Sequence, residues 1–145
     1  MDQGVIYFII NVIIKDQQYV YLKMRMIIYL EDMLQFHGHP SSGSYYTANG
    51  SFLFTLTNIH GTEPTKFPNN KNYNYAVYHN SGYGPTFGYG HDIYISNNYL
   101  NNNCSEANLG YSYNDVLGKG NSTFSSNNNS SSFKLKELEV FKLFN

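Results

Sequence analysis

The sequence has a single cysteine, Cys104, no tryptophan and few charges. One cysteine cannot close an intramolecular disulfide, and without a CxxC pair no cysteine-based zinc site is available. The lone thiol fits a reducing compartment, and a cytoplasmic location is expected. Lys, Arg, Asp and Glu make up 13% of the chain, against roughly 25% in typical domains. The formal net charge is −1, and no Lys/Arg cluster stands out, so the basic face that nucleic-acid binding requires is missing. No apolar run reaches the ~20 residues that span a bilayer. The longest candidate, residues 4–14, follows Asp2 rather than positive charge and precedes Lys15-Asp16-Gln17-Gln18 rather than a small-residue cleavage site, which argues against a secretory signal.

What is present points to strands. The 145 residues suffice for one domain with a core. Tyrosine (15) and phenylalanine (10) carry much of the apolar load, and aromatic side chains suit pleated, half-buried surfaces. Asparagine and serine carry much of the polar load. In such a chain the N-x-S/T triplets at Asn49, Asn103, Asn121 and Asn129 arise by chance. Residues 1–40 differ in texture, being rich in Ile, Val and Met and poor in Asn and Ser.

Residues 51–57 alternate cleanly, with Phe52, Phe54 and Leu56 on one face and Ser51, Leu53, Thr55 and Thr57 on the other, which predicts a strand. Further strands are expected over 73–78 and 92–96, with shorter ones over 108–113 and 122–126. Residues 81–90 form a glycine-rich connection, and 97–108 read as a polar loop with no buried pattern. In the last segment Phe133 and Leu135 share one strand phase and Leu138 and Val140 the other, which predicts a bulge or bend. A helix burying Leu135, Leu138, Phe141 and Phe144 is the rival reading.

No constellation argues for catalysis or metal binding. Gly82-x-Gly84-x-x-x-Gly88 is followed by a strand rather than the helix a phosphate loop needs, and Pro85 interrupts it. His91 and Asp92 are sequence neighbours, and a strand would send them to opposite faces. Glu137 and Glu139 would share one face, which does not place them on opposite sides of a scissile bond. Cys104 has no nearby histidine, and Ser112 has no nucleophile elbow. Tyr45, Tyr46, Tyr83, Tyr89, Tyr99 and Tyr111 are either core fillers, the favoured reading, or a sugar- or peptide-binding surface.

Several pieces, in this order, resemble the TLDc domain family: Phe52-Leu53-Phe54-Thr55-Leu56, Tyr75-Ala76-Val77-Tyr78, Gly84-Pro85-Thr86-Phe87-Gly88-Tyr89-Gly90-His91-Asp92-Ile93-Tyr94-Ile95, Asn108-Leu109-Gly110-Tyr111-Ser112-Tyr113 and Leu138-Glu139-Val140-Phe141. The resemblance covers residues 41–145 and implies a mainly β fold, a two-sheet antiparallel β-sandwich with minor helix. It implies no enzymatic activity; from the residues themselves no cofactor and no metal are expected. Gly84, Phe87, Gly88, Gly90, Asp92 and Glu139 are the implied structural or contact residues. Tyr89 stands where the family usually has a glycine, so a left-handed backbone there would be strained.

The implied role is regulatory, in oxidative-stress protection or in control of the vacuolar proton pump through contact with its subunits. An extracellular glycan-binding β-sandwich and a non-functional truncated gene product are the alternatives. The family's upstream Phe-Gly-Gly-Tyr and tryptophan motifs are missing from residues 1–40. Pairing the last base of each codon with the first two bases of the next lets residues 29–38 encode Phe-Gly-Gly-Tyr-Ala-Ser-Ile-Pro-Trp. The expected division is therefore an out-of-frame segment over 1–40 and a partial TLDc domain over 41–145.

Overall fold

A computed structural model of the chain describes residues 7–15, 21–29, 43–69, 73–124 and 130–143, with residues 7–15, 21–29, 73 and 139–143 described by their backbone alone. The strands are β1 (Tyr7–Lys15), β2 (Tyr21–Tyr29), β3 (Ser44–Tyr46), β4 (Phe52–Thr57), β5 (Thr65–Pro68), β6 (Val77–His79), β7 (Thr86–Phe87), β8 (Ile93–Tyr94), β9 (Ser105–Ala107), β10 (Ser132–Phe133) and β11 (Leu135–Leu143). Short 3-10 turns lie at Tyr73–Tyr75 and Gly120–Ser122. The strands form a five-stranded sheet in the order β11-β1-β2-β4-β5 and a six-stranded sheet in the order β10-β9-β8-β7-β6-β3. All pairings are antiparallel. The expected class, a two-sheet antiparallel sandwich with minor helix, is the one observed.

The two-residue period of a strand sorts the six-stranded sheet into two rows. Register aligns Tyr46, Val77, Phe87, Ile93 and Ala107 across β3, β6, β7, β8 and β9. The last four of these are buried. From the five-stranded sheet, the register pair Leu53 and Phe67 enters the same core, which Ile95, Leu109, Phe124, Phe133 and Leu135 extend. Burying one such side chain is worth about 1.5–3 kcal/mol, so this shared layer is what holds the two sheets together.

On β4 the buried face is the polar one. Ser51, Leu53 and Thr55 are buried, while Phe52, Phe54 and Leu56 are half-buried. The inward hydroxyls have partners. Thr55 Oγ1 donates to the Thr57 carbonyl at 2.9 Å, and Ser51 Oγ shares a 3.3 Å hydrogen bond with the Tyr113 hydroxyl. Phe52 is covered instead by Lys66, whose Nζ lies 3.8 Å from the ring centroid, a cation–π contact.

The C-terminal segment changes layer. β10 ends at Phe133 in one sheet and β11 begins at Leu135 in the other, with exposed Lys134 as the link. The register against β1 then slips, Ile13 facing Glu137 and Ile14 facing Leu135. Lys136 is thus the extra residue of a bulge, the phase change expected from the sequence; the helical reading is overturned.

Other local expectations are corrected. Residues 73–78 divide into a 3-10 turn and the short β6, because the chain must bring the Tyr75 carbonyl to Ser112 and the Ala76 N–H to the Tyr46 carbonyl. The supposed polar loop 97–108 contains β9, whose Ser105 and Ala107 are buried. Within 108–113 only Tyr113 pairs, through an isolated bridge to Asn69. The strand expected over 122–126 is replaced by a turn through residue 124, and residues 125 and 126 lie outside the described residues.

Candidate functional site

The connections β7–β8 and β9–β10 meet at Asp92, the residue just before β8. Its side chain is fully buried. Oδ1 accepts the N–H groups of Gly110 at 2.7 Å and Tyr111 at 2.9 Å. Oδ2 accepts those of Ser112 at 2.7 Å and Tyr113 at 3.3 Å. Successive N–H groups converging in a loop make an anion-binding nest, and here the chain fills its own nest. Burial pushes the Asp92 carboxyl above its ordinary range, and the four N–H groups oppose that shift.

The surrounding residues make room for this carboxylate. Gly88 has φ 79°, and an added Cβ would overlap the Asp92 carboxyl group. Both facts exclude an ordinary side chain there. A Cβ at Gly84 would overlap the Ile95 carbonyl oxygen, at the point where the Ile95 N–H donates to the Pro85 carbonyl at 2.9 Å. Gly90 has φ 72°, and the Tyr111 ring lies 3.4 Å from where its Cβ would be. Phe87 is buried in the core. Glu139 lies on β11 opposite Asn11, and its side chain lies outside the described residues. The structure thus brings Gly84, Phe87, Gly88, Gly90 and Asp92 together and places Glu139 in the other sheet.

The strain expected at Tyr89 lies two residues later. Among non-glycine described residues the left-handed backbone is at His91, φ 62°. Tyr89 instead donates its N–H to Ser112 Oγ at 2.9 Å, and Ser112 Oγ donates to the Tyr75 carbonyl at 3.3 Å. Ser112 is therefore a buried tie between three segments. Tyr113, fully buried, donates its hydroxyl to the Ala76 carbonyl at 3.1 Å. Burial pushes its phenol well above the ordinary range, so it remains a donor.

The core-filling reading favoured from the sequence holds for Tyr99, which packs partly buried against the core, and not for Tyr83, Tyr89 and Tyr111, which are exposed. Tyr113 is the one among the buried hydrophobic core residues. The outward row of the six-stranded sheet runs Tyr45, Tyr78, Thr86, Tyr94 and Glu106. Tyr45 and Tyr78 pack with centroids 4.8 Å apart. Tyr83 from the β6–β7 loop touches both Tyr78 (5.5 Å) and Tyr94 (5.1 Å). His91 does the same from the next loop, at 5.6 Å and 5.8 Å. These two rings close over the gap between Tyr78 and Tyr94, which explains why Thr86, on the outward row, is fully buried. At the β3 end Tyr89 packs on Tyr45 and Tyr75 at 5.6 Å and 5.1 Å. Tyr83 is 39% exposed and Tyr89 50% exposed. The Asp92 nest lies beneath this aromatic layer and positions its loops.

Other side chains with potential for chemistry stay apart. His60 Nε2 is bonded to the Ser122 carbonyl at 3.0 Å, His79 packs on Tyr46 at 5.1 Å, and Cys104 is exposed. Among the described residues no group of three or more His, Cys, Asp or Glu could hold a metal ion. No helix among them is long and apolar enough to cross a membrane.

Two antiparallel sheets enclosing one core, with irregular loops locked by a buried carboxylate, define a β-sandwich scaffold. Residues 29–144 match the TLDc domain family, and the chain belongs to that family, which is generally non-catalytic and regulatory. No curated protein and no solved structure matches the chain.

Asp92 and its glycines were legible from their motif. Ser112, Tyr113, Ser51 and the ring ladder were not, because nothing in a run such as Gly110-Tyr111-Ser112-Tyr113 signals that four N–H groups will face one carboxylate.

Proposed function

We propose that the domain is a non-catalytic module that works through contact with a protein partner, in oxidative-stress protection or in regulation of the vacuolar proton pump. The observation that carries this reading is membership of the TLDc family over residues 29–144. The use of Asp92 supports it: the acidic residue of the motif has its accepting capacity taken up by four backbone N–H groups, and a carboxylate so engaged is a structural hub rather than a general base. Gly84, Gly88, Gly90 and Phe87 then serve to admit and brace it. A pull-down with the chain, with the frame over residues 1–40 corrected, should recover pump subunits from a cytosolic and vacuolar extract. Recovery of none would remove the pump role.

A glycan-binding reading has one observation in its favour, the exposed tyrosines. A glycan array discriminates, since the protein-contact reading expects no signal. We further propose that residues 1–40 are translated out of frame, supported by the shifted reading of residues 29–38. The nucleotide sequence across codons 1–45 tests this: a single continuous frame with no insertion or deletion would end it, and a genuine lesion would favour a non-functional product.

A further inference from the structure

The outward row of the six-stranded sheet crosses from β3 to β9, four strand spacings or about 19 Å. Along it the rings of Tyr45, Tyr78 and Tyr94 are bridged by Tyr83 and His91 into one continuous π surface. Edge-to-face packing would let such rings bury one another, yet Tyr83 and Tyr89 remain 39% and 50% exposed. Next along the row is Glu106, an exposed carboxylate paired in register with Tyr94, and beyond it the row continues to Ser132 on β10. Among the described residues the cation–π contact is elsewhere, between Lys66 and Phe52 on the other sheet.

Electron-rich ring faces and an adjoining carboxylate attract the same kind of group, a cation. An anionic partner, whether nucleic acid or an acidic peptide, would be opposed by the exposed carboxylate of Glu106. Guanidinium fits better than ammonium, because it is planar, stacks on aromatic faces and is more weakly hydrated. At about 3.3 Å per residue, an extended segment of about six residues spans the row, with alternate side chains directed at the rings.

We propose that the aromatic face formed by Tyr45, Tyr78, Tyr83, Tyr89 and Tyr94, with Glu106 beside it, docks an extended arginine-bearing segment of a protein partner. This rests on the reading of the domain as a protein-contact module and names the chemistry of what it contacts.

The test measures binding of the full chain to fluorescein-labelled Arg-Ser-Arg-Ser-Arg-Ser, Lys-Ser-Lys-Ser-Lys-Ser and Glu-Ser-Glu-Ser-Glu-Ser peptides by anisotropy. The arginine peptide is expected to bind at least fivefold more tightly than the lysine peptide, and the glutamate peptide not measurably. Tyr83→Ser and Tyr89→Ser should each weaken the arginine peptide at least fivefold, and Leu100→Ser, exposed in the β8–β9 loop, should leave it unchanged. Glu106→Gln, an exposed polar exchange that leaves the core alone, should weaken it about threefold and flatten its salt dependence. Equal binding of the arginine and glutamate peptides, or unchanged affinity in Tyr89→Ser and Glu106→Gln, overturns the assignment. So does concentration-dependent dimerisation abolished by Tyr83→Ser, which would put a second copy on this face. Capture of pump subunits that survives both tyrosine substitutions would leave the functional reading standing and sink this one alone.

Discussion

Replacing Asp92 by asparagine keeps the shape of the side chain and halves its ability to accept. In the native fold each oxygen takes two N–H groups, Gly110 and Tyr111 on one side and Ser112 and Tyr113 on the other. The amide oxygen of asparagine serves one pair, and its NH2 group then points at the donors of the other. Two buried N–H groups without a partner cost about 1–3 kcal/mol each, so the substitution should destabilise by about 2–6 kcal/mol. Relief of the burial penalty on the carboxylate pulls towards the lower end. Whole-domain stability is about 5–15 kcal/mol, so the loss is large. With a urea slope of about 2 kcal/mol/M, the unfolding midpoint should fall by about 1–3 M. Tyrosine fluorescence and far-ultraviolet circular dichroism at pH 7 would follow it. A midpoint within about 0.3 M of wild type, well short of that range, would refute the picture of a carboxylate that organises two loops.

Gly88→Ala combines a left-handed backbone with overlap against the Asp92 carboxyl. It should cost at least about 1–3 kcal/mol; in an Asp92→Ala background the overlap with the carboxyl group goes and only the close approach to the Cβ of residue 92 is left, so the double mutant is less destabilised than the sum. Tyr113→Phe removes a hydroxyl bonded to the Ala76 carbonyl and to Ser51, and a loss of about 1–3 kcal/mol is expected by denaturant titration. His79 titrates below its ordinary 6.5 because burial disfavours its charged form. The unfolded chain therefore takes the proton first: this contribution to stability is present above 6.5 and lost as pH falls through the folded-state value. The melting temperature should drop between pH 7 and pH 5, and a His79→Gln variant with the same slope would exclude His79 as its source.

Much of the architecture is written in local patterns. The alternation of Phe52, Phe54 and Leu56 with Ser51, Leu53, Thr55 and Thr57, the extended run after Asp92 and the phase change near Lys136 all name strands before any contact is known. They do so because the pleat repeats every two residues whatever the strand pairs with. Which face turns inward is another matter. Phe52, Phe54 and Leu56 are the more apolar set, yet Ser51, Leu53 and Thr55 are buried. The partners that make this tolerable come from far along the chain, Tyr113 among them. Likewise residues 105–107 look polar until β8 and β10 pair with them.

The linear order of residues settled the family, the β class and the aromatic–glycine–acidic turn, since each depends on spacing along the chain. It also settled the composition from which an aromatic face can be built. The three-dimensional packing decided where those aromatics went, that Asp92 faces four N–H groups rather than solvent, and that the left-handed strain falls on His91. Those outcomes depend on segments about twenty to sixty residues apart in the chain meeting at one place, and the energy of such meetings belongs to long-range contacts that local sequence does not encode.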